Sequence, residues 1–225
     1  MEEKRKFYHS LVFPAFFLLV IWTIKVTEFA LDLSFSHLGL FPLKAEGLKG
    51  IFFSPLIHSD FKHLFDNSIP LFFLSVAIFY FYRPVAYRVF FLIWFVGGLI
   101  VWLTARPAYH IGASGLVYGF ASFVFFSGII RRNINLLAIS LLVVFLYGGL
   151  VWGVFPYDFR ISWESHLVGG LAGLGMAFYF RSYGPPSTRK IWEEEEDEEE
   201  NGLSPDQESE SPSDADYPGD TDPVI

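Results

Sequence analysis

Long blocks of residues that are apolar on every side fill most of the first 180 positions, and they restrict what this chain can fold into. Hydrophobic residues make up 52% of the 225-residue sequence. In a soluble domain such residues are expected in stripes along helices or strands, with polar residues between them. A helix crosses a bilayer with about 20 apolar residues, and several blocks reach that length. The sequence therefore predicts an all-α integral membrane protein.

Six transmembrane helices are predicted, here called spans one to six. They cover residues 8–29, 60–82, 86–105, 112–130, 134–155 and 163–181. The first block is too long for a secretory signal peptide and lacks a small-residue cleavage site, so we expect it to stay in the membrane. The long connection after span one, residues 30–59, interleaves apolar and charged residues. We expect it to form short helices at the outer membrane interface.

The distribution of lysine and arginine predicts the orientation of these spans. Ten of the sixteen basic residues fall on one side of the membrane if both termini are cytoplasmic, and cytoplasmic segments are enriched in these residues. We therefore expect cytoplasmic termini, with spans two, four and six beginning at the outer face. The sequence shows no organelle-targeting segment, which favours a bacterial inner membrane.

The chain divides by composition into a membrane domain, residues 1–183, and a tail, residues 184–225. The tail holds 15 of the 24 acidic residues and only two basic ones, and it includes the acidic run 193–200. Such a composition cannot bury enough apolar surface to fold. We predict a disordered cytoplasmic tail, while the membrane domain carries a net positive charge.

Polar residues gather at the predicted outer ends of spans two, four and six. Polar side chains inside spans usually face the bundle interior or a water-filled cavity, and they often mark function. Three such groups at one depth predict a shared cavity that is open to the outside. The groups are His58, His63 and Asn67; Gly112, Ala113, Ser114 and Gly115; and Glu164, Ser165 and His166.

Ser114 is a candidate nucleophile at the start of span four. The first N–H groups of a helix lack intrahelical partners, and the helix dipole is positive there, so a developing oxyanion would be stabilised. Gly112 and Gly115 would let a substrate backbone approach closely. Alternatively, these small residues only pack one membrane helix against another.

His166 is the candidate general base, because an unperturbed imidazole titrates near neutral pH. Gly169 and Gly173 share its helix face, so span six can approach span four closely. His166 could instead be a packing or pore histidine. Glu164 is two residues away and so points to another face, which favours a Ser–His dyad over a triad. Tyr118 lies one turn after Ser114 and can pack beneath His166.

In span two, His63 and Asn67 are four residues apart and can donate hydrogen bonds towards one point. His58 should face away from Asn67 or precede the helix, which fits a structural role better. Paired histidines also bind metal. However, no carboxylate shares the face of His63 and Asn67, and the chain has no cysteine, so we expect neither a metal nor another cofactor.

Together these motifs resemble those of the rhomboid family of intramembrane serine proteases, over roughly residues 8–181. The matching residues are His58, His63 and Asn67 in span two; Gly112, Ala113, Ser114, Gly115 and Tyr118 in span four; and His166, Gly169 and Gly173 in span six. The resemblance implies a six-helix bundle with a dyad below the outer surface. One departure is Lys49–Gly50, where many members have Trp-Arg.

The resemblance also implies a role for each residue. Ser114 would be the nucleophile and His166 the base. His63, Asn67 and the backbone N–H of Ser114 would form the oxyanion hole, and Tyr118 would stack on His166. Substrates would be transmembrane protein segments, cut near their outer ends, with span five and residues 156–162 as a gate.

Two other functions remain compatible with the sequence. A non-catalytic rhomboid-like chaperone or scaffold would bind transmembrane helices without cutting them, and a small transporter or channel would also place polar residues in the bundle. The expected partners are transmembrane proteins and the lipid bilayer, not nucleic acid. The sequence makes no prediction of an oligomeric state.

Overall fold

Regular structure in the described part of the chain is helical, apart from one isolated bridge between Leu40 and His110. The structure is a computed structural model and describes residues 2–146, 153–156 and 162–188. Seven α-helices occupy these ranges: α1 Glu2–Ala30, α2 Lys49–Phe53, α3 Phe61–Phe81, α4 Ala86–Thr104, α5 Ser114–Arg131, α6 Ile134–Leu146 and α7 Trp163–Tyr179. The prediction of an all-helical protein is confirmed within them.

A helix lies at the position of each predicted span. Four of them, α1, α3, α4 and α5, are long and apolar enough to cross a membrane. The helices at spans five and six are shorter, with 13 residues in α6 and 17 in α7. Residues 147–152 of span five lie outside the described residues. The six-span count therefore stays a prediction.

Helix α1 begins at Glu2, six residues before the predicted start of span one, so the helix is longer than the predicted membrane-crossing segment. Glu2 and Glu3 occupy its first turn, where acidic side chains interact favourably with the helix dipole. Lys6 lies 3.5 Å from Glu3, and the Tyr80 hydroxyl donates to the Glu3 carboxylate across 2.7 Å. These polar contacts extend the helix beyond its apolar block.

The connection after α1 contains the short helices that were predicted for it. Three 3₁₀ helices, Ser36–Leu38, Ala45–Leu48 and Ser54–Leu56, flank α2. Lys49 begins α2, and Gly50 lies so close to the connecting chain that a Cβ there would be 2.1 Å from the Cα of Leu40. Gly50, the second residue of the pair that departs from the rhomboid pattern, therefore forms a tight backbone contact within this loop.

Helix α5 packs against α3, α4, α6 and α7. Its contact with α7 is made backbone to backbone: a Cβ on Gly169 would lie 2.1 Å from the carbonyl oxygen of Gly115, and one on Gly173 would lie 2.0 Å from that of Gly119. Small residues allow membrane helices to approach in this way. The two helices that carry Ser114 and His166 are thus held at close range.

The segment after α7 is fixed to the turn between α5 and α6. The Arg131 guanidinium donates to the carbonyl oxygens of Arg181, Gly184 and Pro185, at 2.6, 2.9 and 2.7 Å. The Asn133 amide donates to the Pro186 carbonyl oxygen at 2.7 Å. The predicted tail begins within this segment, but residues 189–225 lie outside the described residues.

Candidate active site

Ser114 and His166 lie side by side at the N-terminal ends of α5 and α7. The Nε2 atom of His166 is 2.7 Å from the Oγ atom of Ser114, which is an ordinary hydrogen-bond length. His166 is buried. A nucleophile within hydrogen-bonding distance of a base is the arrangement that covalent catalysis requires.

The carbonyl oxygen of Gly153 accepts a hydrogen bond from Nδ1 of His166 at 2.8 Å. A carbonyl oxygen can only accept, so in the neutral ring Nδ1 carries the proton and Nε2 carries a lone pair. The Ser114 hydroxyl therefore donates to Nε2. The ring of Tyr118 stacks on the His166 ring with centroids 4.2 Å apart and an angle of 11° between the planes, and it restricts how the imidazole can turn.

The sequence analysis missed Gly153, because every residue type has a backbone carbonyl oxygen and none can be recognised from the sequence as an acceptor. Its position requires a glycine: a Cβ there would lie 2.0 Å from the Tyr118 hydroxyl and 3.0 Å from Nδ1 of His166. Of the expected gate, residues 134–146, 153–156 and 162 are described, whereas residues 147–152 and 157–161 lie outside the described residues.

His58 precedes α3 and hydrogen-bonds to the residue before Ser114. Its Nε2 atom accepts a hydrogen bond from the Ala113 N–H at 3.3 Å, immediately before Ser114 begins α5. Burial, and to a lesser extent the neighbouring His63, lowers the pKa of His58 to about 3. The ring is therefore neutral near pH 7, and its Nε2 atom can act as this acceptor.

His63 and Asn67 converge on the space beside Gly112. A Cβ on Gly112 would lie 2.7 Å from Nε2 of His63 and 3.5 Å from Nδ2 of Asn67, and its φ of +104° favours glycine. Asn67 is only 6% exposed, and its Nδ2 has no hydrogen-bond partner among the described residues. An unpaired buried donor beside an open space can bind an anionic oxygen.

Ser59 sets the tautomer of His63. The Ser59 hydroxyl donates to the Asp60 carboxylate across 2.7 Å, and its oxygen lies 3.2 Å from Nδ1 of His63. Because the carboxylate can only accept, the Ser59 oxygen accepts from Nδ1–H, and Nε2 of the neutral ring, which faces Gly112, carries the lone pair.

An ion pair on α1 fixes the stretch of backbone that leads into α3. Lys25 Nζ donates to the carbonyl oxygens of His58 and Ser59, both at 3.0 Å, and lies 3.2 Å from the Glu28 carboxylate. Glu28 also accepts from the N–H of Phe35 at 2.6 Å. The sequence analysis left both charged residues out of the site, although each is buried or nearly so.

Glu164 lies 3.5 Å from the Arg106 guanidinium. This pairing agrees with the prediction that Glu164 points away from His166. Among the described residues, no three His, Asp or Glu side chains are grouped as metal ligands.

Comparison with known proteins places the chain in a family. The Rhomboid domain model matches residues 45–183. Uncharacterized proteins of Mycobacterium tuberculosis and Mycobacterium bovis are each 35% identical to the chain over 182 residues, which cover 75% of the chain and 72% of the relative. A further one, from Mycobacterium leprae, is 34% identical over 193 residues, covering 81% and 74%. The chain is a multi-pass membrane protein that belongs to the rhomboid family.

Proposed function

We propose that this protein is an intramembrane serine endopeptidase, which cleaves transmembrane segments of other membrane proteins through a Ser114–His166 dyad. One observation carries the proposal: Nε2 of His166 lies 2.7 Å from Oγ of Ser114, while Nδ1 donates to a backbone carbonyl. Family members are generally serine proteases, and the residues that the resemblance assigns to catalysis are present and adjacent in this chain.

In the proposed reaction, Oγ of Ser114 attacks the carbonyl carbon of the scissile peptide while Nε2 of His166 takes its proton. When the carbon–nitrogen bond breaks, the same imidazole returns that proton to the leaving amine. Water then attacks the resulting acyl ester with His166 again as base. The Gly153 carbonyl keeps the ring in the tautomer that can accept the proton. In a Ser-His-Asp triad the aspartate has this role.

The oxyanion of the tetrahedral intermediate would lie in the space beside Gly112. Nδ2 of Asn67, Nε2 of His63 and the backbone N–H of Ser114 are its proposed donors. Nε2 of His63 would donate when both nitrogens of the ring carry a proton, with Nδ1 still donating to the Ser59 oxygen. Removing one such donor typically lowers the rate about 10²–10³-fold. Asn67 is the strongest candidate, because its buried amide has no other partner among the described residues.

The proposal includes an orientation. Residues 1–183 would form a six-span protease domain in a bacterial inner membrane, with both termini and the tail of residues 184–225 in the cytoplasm. The dyad would then open to the outer side, and its substrates would be cut near the outer ends of their transmembrane segments. The charge distribution supports this orientation, since ten of the sixteen basic residues lie on the proposed cytoplasmic side.

The test is covalent labelling of the full-length protein in detergent with a fluorophosphonate probe. The wild type is expected to form a stable adduct at Ser114. Ser114→Ala, His166→Ala and the double variant should be almost equally unreactive, because groups that act as a unit are strongly non-additive. Ser127→Ala is a matched control: Ser127 lies in the same helix and is buried, and its loss should leave labelling unchanged.

A scaffold predicts a different pattern. Folded wild-type protein would then show no adduct at Ser114, and its function would survive Ser114→Ala. Either result, obtained with protein whose thermal unfolding is cooperative, would reject the protease.

A further inference from the structure

A second histidine–serine contact lies next to the dyad. Nδ1 of His110 is hydrogen-bonded to Oγ of Ser162. His110 is four residues before Ser114, and Ser162 is four residues before His166. The second contact therefore joins the same two chain segments as the dyad, with the residue types exchanged between them.

The hydrogen bonds around His110 have a single consistent direction. Nε2 lies 3.1 Å from the carbonyl oxygen of Arg106, which can only accept, so Nε2 carries the proton of the neutral ring and Nδ1 accepts. Ser162 must then donate to Nδ1, and its oxygen accepts from Ser165 across 2.6 Å. Burial lowers the pKa of His110, in agreement with a neutral ring.

Backbone contacts connect His110 and Ser162 to the neighbouring parts of the fold. His110 is only 2% exposed, and it exchanges backbone hydrogen bonds of 3.0 and 2.8 Å with Leu40. Ser162 accepts the N–H of His166 with its own carbonyl oxygen at 3.3 Å. At Ser165, the carbonyl oxygen lies 3.2 Å from the position of a Cβ on Gly115. A shift at His110 or Ser162 would therefore be transmitted to the ends of α5 and α7.

We propose that His110 is a positioning residue, and that its bond to Ser162 sets the separation between Ser114 and His166. The inference rests on the proposed protease function. It adds His110 and Ser162 as residues that neither touch the scissile bond nor take the proton of Ser114. Misplacement of reacting groups by about 1 Å can lower a rate roughly 10²-fold. A bond that joins the two elements close to the dyad is well placed to prevent such a shift.

The experiment separates the two hydrogen bonds of His110. In His110→Asn, the amide oxygen can occupy the place of Nδ1 and accept from Ser162, whereas in His110→Gln the amide nitrogen can occupy the place of Nε2 and donate to Arg106. A fluorophosphonate probe is used to label these two variants and three alanine variants, namely His110→Ala, Ser162→Ala and the double variant. The maximal rate of inactivation and the half-saturating probe concentration are measured separately.

We expect His110→Ala, His110→Gln and Ser162→Ala to lower the maximal rate about 10- to 100-fold with little change in half-saturation, and the double variant to be no slower than either single alanine variant. His110→Asn should keep most of the wild-type rate. His37→Ala is the control, since His37 is an exposed histidine of the first loop and should have no effect.

Each outcome has one meaning. A labelled wild type with unchanged rates in Ser162→Ala and His110→Gln overturns the positioning role and leaves the protease proposal standing. Equal losses in His110→Asn and His110→Gln also overturn it, because the Ser162 bond would not be the one that matters. If His110→Ala does not fold, Ser162→Ala, which removes only a hydroxyl, decides the question. An unlabelled wild type rejects the protease and the positioning role together.

Discussion

Replacing Gly169 with alanine would test whether close contact between α5 and α7 is needed for catalysis. The added Cβ would lie 2.1 Å from the carbonyl oxygen of Gly115, whereas non-bonded contacts are comfortable at about 3.5 Å. The obstacle is backbone rather than a flexible side chain, so the helices must separate by roughly 1 Å or more. The same shift would lengthen the 2.7 Å contact between Ser114 and His166 beyond hydrogen-bonding distance.

Gly169→Ala is expected to lose both stability and reaction rate. Overpacking of this kind costs about 1–3 kcal/mol of stability, against which alanine gains at most about 1 kcal/mol in helix propensity over glycine. A displacement of about 1 Å in the reacting groups lowers the rate roughly 10²-fold. We therefore expect Gly169→Ala to remain folded, with a lower unfolding temperature and a far slower reaction with a fluorophosphonate probe.

Gly170 is a matched control in the same helix. A Cβ at Gly170 would meet nothing within 4 Å among the described residues, so Gly170→Ala should keep the wild-type labelling rate and be as stable or slightly more stable. Labelling rate and thermal unfolding of the two variants are measured side by side in one detergent. Equal labelling rates for Gly169→Ala and Gly170→Ala would refute the argument that backbone contact between these helices positions the dyad.

Three further substitutions test the supporting contacts, each by thermal unfolding in detergent. Burial lowers the pKa of His58 to about 3, below the ~6.5 of an unfolded histidine, so the stabilising contribution of neutral His58 is fully present above about pH 6.5 and falls as the pH drops below it. On acidification to roughly pH 4, His58→Gln should therefore lose less stability than the wild type, and an identical loss would contradict the assignment. Lys25→Met should cost about 3–5 kcal/mol because it leaves the Glu28 carboxylate buried and unpaired, whereas Lys62→Met, whose ion pair is 85% and 53% exposed, should cost under about 1 kcal/mol. Arg131→Ala should cost about 1.5–3 kcal/mol, since a charged donor to three carbonyl oxygens is lost, and an unchanged unfolding temperature would show that this anchor is dispensable.

The residues that sequence analysis could assign share one property: their types and spacings are themselves informative. Ser114 and His166 stand at the starts of apolar blocks, where polar groups are costly, and Gly169 and Gly173 mark a helix face by their four-residue spacing. The helical periodicity that groups these residues is local. The order of residues along each block is therefore enough to predict which side chains share a helix face.

The supporting contacts could not be predicted, because they join distant residues through groups without a sequence signature. Gly153 acts through a carbonyl oxygen that every residue possesses. Lys25 reaches carbonyl oxygens 33 and 34 residues away, and His110 meets a serine 52 residues away. Such pairs depend on how the loops fold over the helix ends, which periodicity does not determine.

Among the described residues, no carboxylate accepts from Nδ1 of His166. Glu164 is the nearest acidic residue in sequence, but it lies beside Arg106. The group behind Nδ1 of His166 is instead the Gly153 carbonyl, which fixes the tautomer as an aspartate would but carries only a partial negative charge. An imidazolium formed in the proposed reaction would be stabilised less by such a dipole than by a full charge. In the proposed reaction, accurate placement of the oxyanion donors and of the two helix ends would therefore have to supply more of the rate, and for that reason we expect the contacts at Gly169 and His110 to affect it strongly.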